Sequence, residues 1–320
     1  MLKIDFLSKK IMIAGGGGFV GTHLQNRLRQ TKCKLYIPRT KDGIDFRKWR
    51  HTFEYIAKIK PEIIINCAAF QGGIGFHEGK QADLFWDNIQ MGMNLMRAAQ
   101  ENKVKKFVNI VAGCSYPGYL EKEELAEEDY WNGKLHETIF SYGFSRKTSV
   151  VFGQALKRQY GFNSIHLIMA NMYGPGEHFN PFQSKALAGM IKKFYEAKKN
   201  KLPSVEIWGT GKPVRDWLYV KDGAEGILEA TEKYDEIEPL NIASGHGITI
   251  KRLAETIKKI VGYKGNIIYD ITKPDGALKK TFSVKKMMEV LGWKPKTPLE
   301  MGIKETVEWF EKNYEYAVSH

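Results

Sequence analysis

One run of residues limits the fold more than any other: KKIMIAGGGGFVGTHLQNRLRQ, residues 9–30. Ile11 to Ala14 read as a short buried strand, four glycines follow at once, and Val20, Leu24 and Leu28 then recur at helical spacing. Strand, glycine turn and helix in that order form the entry unit of a parallel sheet. Gly15, Gly18 and Gly21 make a GxxGxxG pattern inside it. Glycines there permit the tight turn, let the backbone approach a pyrophosphate and pack the helix closely on the sheet, while the helix N-terminus favours an anion. As a bare string the pattern is weak; between a strand and a helix it predicts dinucleotide binding.

The alternation continues along the chain. A strand KLYI (Lys34 to Ile37) precedes a helix carrying Phe46, Trp49, Phe53 and Ile56. A strand from Glu62 to Cys67, a long helix through Leu84, Ile89, Met93 and Met96, and a strand from Lys106 to Val111 follow. A helix over Tyr142 to Tyr160 and a strand from Asn163 to Ala170 close the series. Repeated βα units with β-branched strands imply a parallel sheet covered by helices on both faces. Beyond NMYGPGEHFNP the elements shorten, with Pro and Gly between them; among them are an amphipathic helix (Leu187, Met190, Ile191, Phe194), the stretch VEIWGTGKPVRDWLYV and two C-terminal helices. The expected fold class is α/β, a Rossmann-type doubly wound parallel sheet with a smaller mixed C-terminal substrate lobe. Residues 1–172 are expected to form the dinucleotide-binding domain and 173–320 mainly the lobe, with segments around 214–244 returning to the sheet.

Composition narrows the function classes. A chain of 320 residues, 43% hydrophobic and 27% charged, is that of a globular protein, and no apolar run nears a membrane span. The start passes too quickly into the glycine turn to be a signal peptide, so a cytoplasmic location is expected. Cys33, Cys67 and Cys114 have no paired spacing, so neither a disulfide framework nor a metal site is indicated. The net charge of +13 is spread over lysine pairs such as Lys192/Lys193 and Lys258/Lys259, without a groove-reading motif. It suits a solvated surface or an anionic small ligand, with neither nucleic acid nor membrane as partner.

The stretch FSYGFSRKTSV (Phe140 to Val150) nearly spells a reductase site. In such sites a lysine follows the tyrosine by one helical turn, so both side chains share a face. Here the fourth residue after Tyr142 is Arg146; Lys147 is about 100° further round the helix. Arg146 is therefore the expected partner of Tyr142. For the adenosine ribose, an acidic residue after the second strand would mark NAD, and cations would mark a 2′-phosphate. IPRTKDGIDF offers Arg39 and Lys41, which favours NADP(H), and Asp42 and Asp45, which leave NAD(H) open.

Taken in order, IAGGGGFVG, CAAFQGGI, GCSYP, RQYGFNS, NMYGP, WGTGKPVRDWLYVKD and KPDG resemble the extended short-chain dehydrogenase/reductase family of nucleotide-sugar enzymes. Within it they look most like the GDP-L-fucose synthases, which are GDP-4-keto-6-deoxymannose 3,5-epimerase/4-reductases, with some similarity to the GDP-mannose 3,5-epimerases. The resemblance implies an NADP(H)-dependent oxidoreductase and isomerase of nucleotide-sugar and polysaccharide biosynthesis, working as a homodimer on a GDP-sugar. It places the cofactor at Gly15, Gly18, Phe19, Val20, Gly21, Arg39, Ala68, Ala69, Asn88, Tyr142 and Arg146. Of the family's Ser, Tyr and Lys for hydride transfer, only Tyr142 is retained: Ala112 holds the Ser position and Arg146 the Lys position. Neither nearby Ser115 nor Ser141 is the family's serine.

For epimerisation the resemblance implies Cys114 and, at the position of the family's His, Lys185, a pair like that of the GDP-mannose 3,5-epimerases. Substrate is expected at Asn171, Lys193, Trp208, Arg215, Asp275 and Lys280. Trp208 equally suits a strand core, and Asn88 and Asn171 equally suit backbone satisfaction. Two readings follow: a GDP-4-keto-sugar reductase and epimerase, or a nucleotide-sugar and cofactor-binding homologue with impaired hydride transfer. The dimer would form through the helix of Met93 and Met96 and the helix of Tyr142.

Overall fold

The computed structural model describes residues 6–180, 183–273 and 275–319. Its first half alternates as the sequence predicts: β1 (Lys10–Ala14), α1 (Phe19–Leu28), β2 (Lys34–Tyr36), α2 (Trp49–Ile59), β3 (Ile63–Asn66), α3 (Ile74–Gly79), α4 (Gln81–Glu101), β4 (Lys106–Ala112), α5 (Phe140–Tyr160) and β5 (Ser164–Met169). Phe46 lies ahead of α2, buried, and its carbonyl accepts from Asn94 at 2.9 Å. Its helical spacing from Trp49 thus reflects a turn folding back onto the same core.

The second half holds β6 (Asn171–Tyr173), α6 (Ala186–Lys199), β7 (Ser204–Trp208), β8 (Val214–Tyr219), α7 (Val220–Lys233), β9 (Leu240–Ile242), β10 (Gly247–Thr249), α8 (Ile250–Val261), β11 (Asn266–Asp270), β12 (Lys279–Lys280), α9 (Lys285–Leu291), α10 (Leu299–Lys312) and α11 (Tyr314–Ser319).

The main sheet has the order β2-β1-β3-β4-β5-β9, and every neighbouring pair is parallel. Its central strands are buried on both faces: all of β3, and β5 from Ser164 to Met169. That burial explains their near-continuous apolar sequences. β9 enters the sheet beside β5, and Phe282, Met287, Leu291 and Trp293 pack into the same core as β1, β4 and β5. Late segments thus seal the sheet's far edge. A separate apolar core joins α6, α8, α10 and β7 through Leu187, Ile191, Phe194, Leu253, Ile257 and Phe310. The strand order reverses beside β1, and the carboxyl ends of β1, β3, β4 and β5 open towards this lobe. In such sheets that is where ligands bind.

Candidate active site

One cleft of about 830 Å³ runs along those strand ends and under the lobe. At one end is the glycine turn. Gly15 has φ +73°, and a Cβ there would stand 2.7 Å from the Ala68 amide nitrogen. A Cβ on Gly21 would stand 2.4 Å from the Gly15 carbonyl oxygen, so helix and turn touch through backbone alone. Gln25, buried in α1, donates to the Gly16 carbonyl at 2.6 Å and braces the turn from behind. Gly18 caps α1, leaving the first N–H groups of the helix without a side-chain acceptor. These residues fit a dinucleotide pyrophosphate.

The ribose end favours cations. Arg39 reaches over the turn, its Nε 3.6 Å from where a Gly17 Cβ would be. Asp45 accepts from Arg47 at 3.0 and 2.9 Å, which holds its carboxyl below the usual range and occupies it. Asp42 lies exposed in a one-turn helix after β2.

At the middle of the cleft stands Tyr142, in the first turn of α5 and 4% exposed. Burial pushes its phenol up to about 12, against the pull of Arg146. Arg146 does not meet Tyr142 through a hydrogen bond; it donates to the Ala68 carbonyl at 3.3 Å and to that of Ile110, tying the ends of β3 and β4 together. Lys147 turns elsewhere, donating to the Tyr130 carbonyl and lying over the Tyr130 and Trp131 rings at 4.7 and 5.0 Å. The helical geometry expected of the two residues is thus observed.

Ala112 ends β4 inside the cleft without a hydroxyl. Ser115 does not replace it: fully buried, it donates to the Ala112 carbonyl at 2.6 Å and accepts from Tyr130 at 3.0 Å. Cys114 sits in the turn Gly113–Ser115; burial raises its thiol, and Lys280, Arg146 and Lys185 draw it back down. Lys185 caps α6 on the opposite wall.

Towards the lobe the lining becomes basic. Arg215 is brought down to about 10 by burial and donates to the carbonyls of Val214 and Asp275 at 2.9 and 3.4 Å. Lys193 donates to the Glu206 carbonyl at 2.8 Å. Trp208 is 51% exposed, with Lys193 and Lys273 near its ring at 5.9 and 5.5 Å, so its indole is available to a flat partner and is not core.

Four expected residues have other attachments. Asp275 receives both the amide and hydroxyl of Thr210 at 2.7 Å, bracing the turn after β7. Asn171 lines the cleft while donating to the Asp216 carbonyl at 3.1 Å. Asn88 lies beneath the cleft: its amide accepts from the Phe70 N–H at 3.0 Å and donates to the Phe70 and Leu84 carbonyls at 2.8 and 2.7 Å. It shapes the loop after β3. Ala68 takes part through its backbone against Gly15, with Ala69 at the surface of the same loop.

Sequence reasoning missed His77, His136 and Thr138. His77 stands edge-on to Tyr142 with ring centroids 5.3 Å apart, and Thr138 Oγ1 shares a hydrogen bond with His136 Nδ1 at 2.9 Å, both beside the cleft. They fall between the motifs, and nothing in their local pattern marks them.

The fold and this site define a dinucleotide-dependent enzyme of the extended short-chain dehydrogenase type. More particularly, the chain belongs to the NAD dependent epimerase/dehydratase family, whose model matches residues 11–243. It is 32% identical to GDP-L-fucose synthase 1 of Arabidopsis thaliana, over 96% of this chain and 94% of that one. It is also 32% identical to GDP-L-colitose synthase of Yersinia pseudotuberculosis, over 95% and 99%. Among solved structures it resembles a GDP-6-OMe-4-keto-L-xylo-heptose reductase from C. jejuni with a TM-score of 0.90 and 27% identity, over 97% and 99%. A GDP-L-fucose synthetase from Naegleria fowleri bound to NADP gives 0.87 and 28%, over 98% and 97%.

Proposed function

We propose that this protein is an NADP(H)-dependent GDP-sugar enzyme that reduces a 4-keto sugar and exchanges protons at the carbons beside the ketone. The observation that carries the reading is the convergence of Tyr142 and Cys114 in one cleft, between the glycine turn and a basic, indole-bearing wall. Gly15, Gly18 and Gly21 would hold the pyrophosphate of the cofactor, and Arg39 its 2′-phosphate; the pairing of Asp45 with Arg47 supports NADP(H) over NAD(H). When bound, the nicotinamide supplies the hydride for C4. Tyr142 keeps its proton through the neutral range, because burial holds its pKa near 12, and so can donate to the ketone oxygen.

Arg146 gives that corner a positive charge held on two carbonyls by a planar fork, where a lysine would offer a point charge on a flexible stem. Cys114, as thiolate, takes a proton α to the ketone: the C–H bond breaks, an S–H bond forms, and the electron pair moves to the ketone oxygen. Lys185 returns a proton to the carbon. Lys193, Arg215 and Lys280 hold the diphosphate, Trp208 stacks the base, and Asn171 and Asp275 border the sugar-nucleotide.

A homodimer is part of the same reading. Trp86 on α4 and Phe140, Phe144 and Val151 on α5 are each more than 40% exposed, with Phe85 and Phe140 each stacked with Phe144. An apolar strip across two packed helices suits a second copy of the chain.

The test supplies GDP-4-keto-6-deoxymannose and NADPH in deuterated water. NADPH oxidation that is lost in Tyr142→Phe, with deuterium entry at C3 or C5 that is lost in Cys114→Ser, is the expected pair of results. Tight binding of both ligands with neither signal would instead identify a binding homologue.

A further inference from the structure

His136 lines the basic end of the cleft and has no task in the proposed reaction. It caps the one-turn helix Glu137–Ile139, and its ring is held on two sides. Tyr119 stacks on one face, with ring centroids 5.3 Å apart and 23° between the planes. Nδ1 shares a hydrogen bond with Thr138 Oγ1 at 2.9 Å and accepts from the Thr138 backbone N–H at 3.4 Å. A backbone N–H can only donate, so in the neutral ring the hydrogen sits on Nε2. Among the described residues Nε2 has no partner. The neighbours of the ring are cations. Arg215 and Lys280 face each other in parallel register on β8 and β12, so their side chains leave the same side of the strands, and both line the cleft. Lys280 donates to the Tyr116 carbonyl at 3.3 Å; two residues on, a Cβ at Gly118 would stand 2.5 Å from the His136 backbone nitrogen. One short segment, 116–118, thus fastens Lys280 and His136 to the same wall. Among the described residues Arg215 and Lys280 make hydrogen bonds to backbone carbonyls only, and no carboxylate pairs with either.

We propose that His136 is a third donor to the diphosphate of the substrate, its Nε2–H directed at the anion that Arg215 and Lys280 also hold. Three donors without an acceptor among them call for a partner that only accepts. Phosphate oxygens do so, whereas a sugar hydroxyl brings a hydrogen of its own to be placed. The groups that face the ring are Lys280 of β12, Arg215 of β8, Glu137 beside it, and Tyr119 and Thr138. Burial and the Lys280 charge bring the imidazole below its ordinary value, with Glu137 opposing and Arg215 adding to the effect. With no anion bound the ring is therefore neutral at pH 7. A diphosphate reverses the sign of the local field, so the ring takes up a proton from solvent as the anion binds. Nε2 keeps its hydrogen, and the new proton on Nδ1 turns Thr138 Oγ1 from donor to acceptor.

The inference rests on the reading of Arg215 and Lys280 as the diphosphate end of the cleft, and its test uses no sugar. GDP and inorganic pyrophosphate are titrated by calorimetry into the intact protein saturated with NADP+, so that the glycine turn is occupied; retained NADP+ binding checks the folding of the variant. Repeating each titration in buffers of different ionisation heat counts the protons taken up. At pH 6.5 His136→Gln should bind both probes about tenfold more weakly, as one charge-assisted hydrogen bond is lost. The gap should narrow by pH 8.5, where the bound ring gives up its proton. At pH 7 the variant should take up about half a proton fewer than the wild type. Equal affinities would overturn the inference. So would a loss that is the same at both pH values with equal uptake, which would make His136 a prop for Tyr119. Absence of proton uptake in the wild type would overturn it without any variant. Uptake that depends on His136, with no preference for GDP over UDP, would leave the inference standing and remove guanosine from the proposed function. Binding of neither probe to the wild type would overturn both.

Discussion

The two ends of the cleft are built for anions by opposite means, one from backbone and one from side chains. The dinucleotide end uses the backbone of a nine-residue stretch, where Gly15 and Gly21 touch neighbours through main chain at distances that exclude a side chain. The other end assembles Lys185, Lys193, Arg215 and Lys280 from three separate elements, α6, β8 and β12, holding some of them against backbone carbonyls. A backbone cradle is unforgiving of any added atom, whereas an assembled wall of long side chains loses contacts one at a time. Arg146 shows what lies between them: a side chain acting as part of the scaffold, bonded to strand ends on both sides of the cleft floor.

The largest effect should come from the cradle. Gly21→Ala would overpack backbone on backbone at a cost of about 3 kcal/mol, so calorimetric titration should find NADPH affinity reduced about 100-fold. Unchanged affinity would mean that the turn relaxes freely, and the contrast with the sugar end would dissolve. Arg146→Met should lower the free energy of urea unfolding by about 2–3 kcal/mol, since two buried carbonyls lose their donor. A change confined to activity would show that Arg146 serves chemistry and not the scaffold.

Arg39→Ala should shift the preference for NADPH over NADH by about 2 kcal/mol, or some 30-fold in the ratio of Kd values, as one charge-assisted contact is lost. An unaltered ratio would place the 2′-phosphate elsewhere. A pH-dependent effect, absent at neutral pH, lies in the sheet below both ends. Burial keeps His166 neutral, with its pKa brought down to about 3, and one ring nitrogen takes part with Asn109 at 3.1 Å. Below pH 6.5 the unfolded chain binds a proton that the folded chain refuses, so this contribution is fully present above pH 6.5 and falls by about 1.4 kcal/mol per pH unit down to about pH 3. The pH slope of stability should be shallower in His166→Gln. An equal slope would assign acid sensitivity to other groups.

Much of the fold was legible because its cause is local. The glycine turn and the βα alternation follow from glycine placement and apolar spacing, and the strands lie within a residue or two of their expected limits. The face of Tyr142 was legible too, since helical periodicity alone separates Arg146 from Lys147. Residues with two physically sound uses were different. Trp208 could equally have been core, and Asn88 could have faced a ligand; exposure settles the first, and three hydrogen bonds to Phe70 and Leu84 settle the attachment of the second. His77 and His136 carry no local signal, because their meaning comes from neighbours distant along the chain.

By itself the sequence determined the parallel sheet, the glycine turn and the residue types along the cleft, since backbone sterics and helical or strand periods act over a few residues. Tertiary structure alone decided which cation stands beside which partner: Arg146 on the ends of β3 and β4, Lys147 on Tyr130, and Lys280 behind the turn of Cys114. Burial and charge are properties of everything that packs around a group, and chain order does not record them.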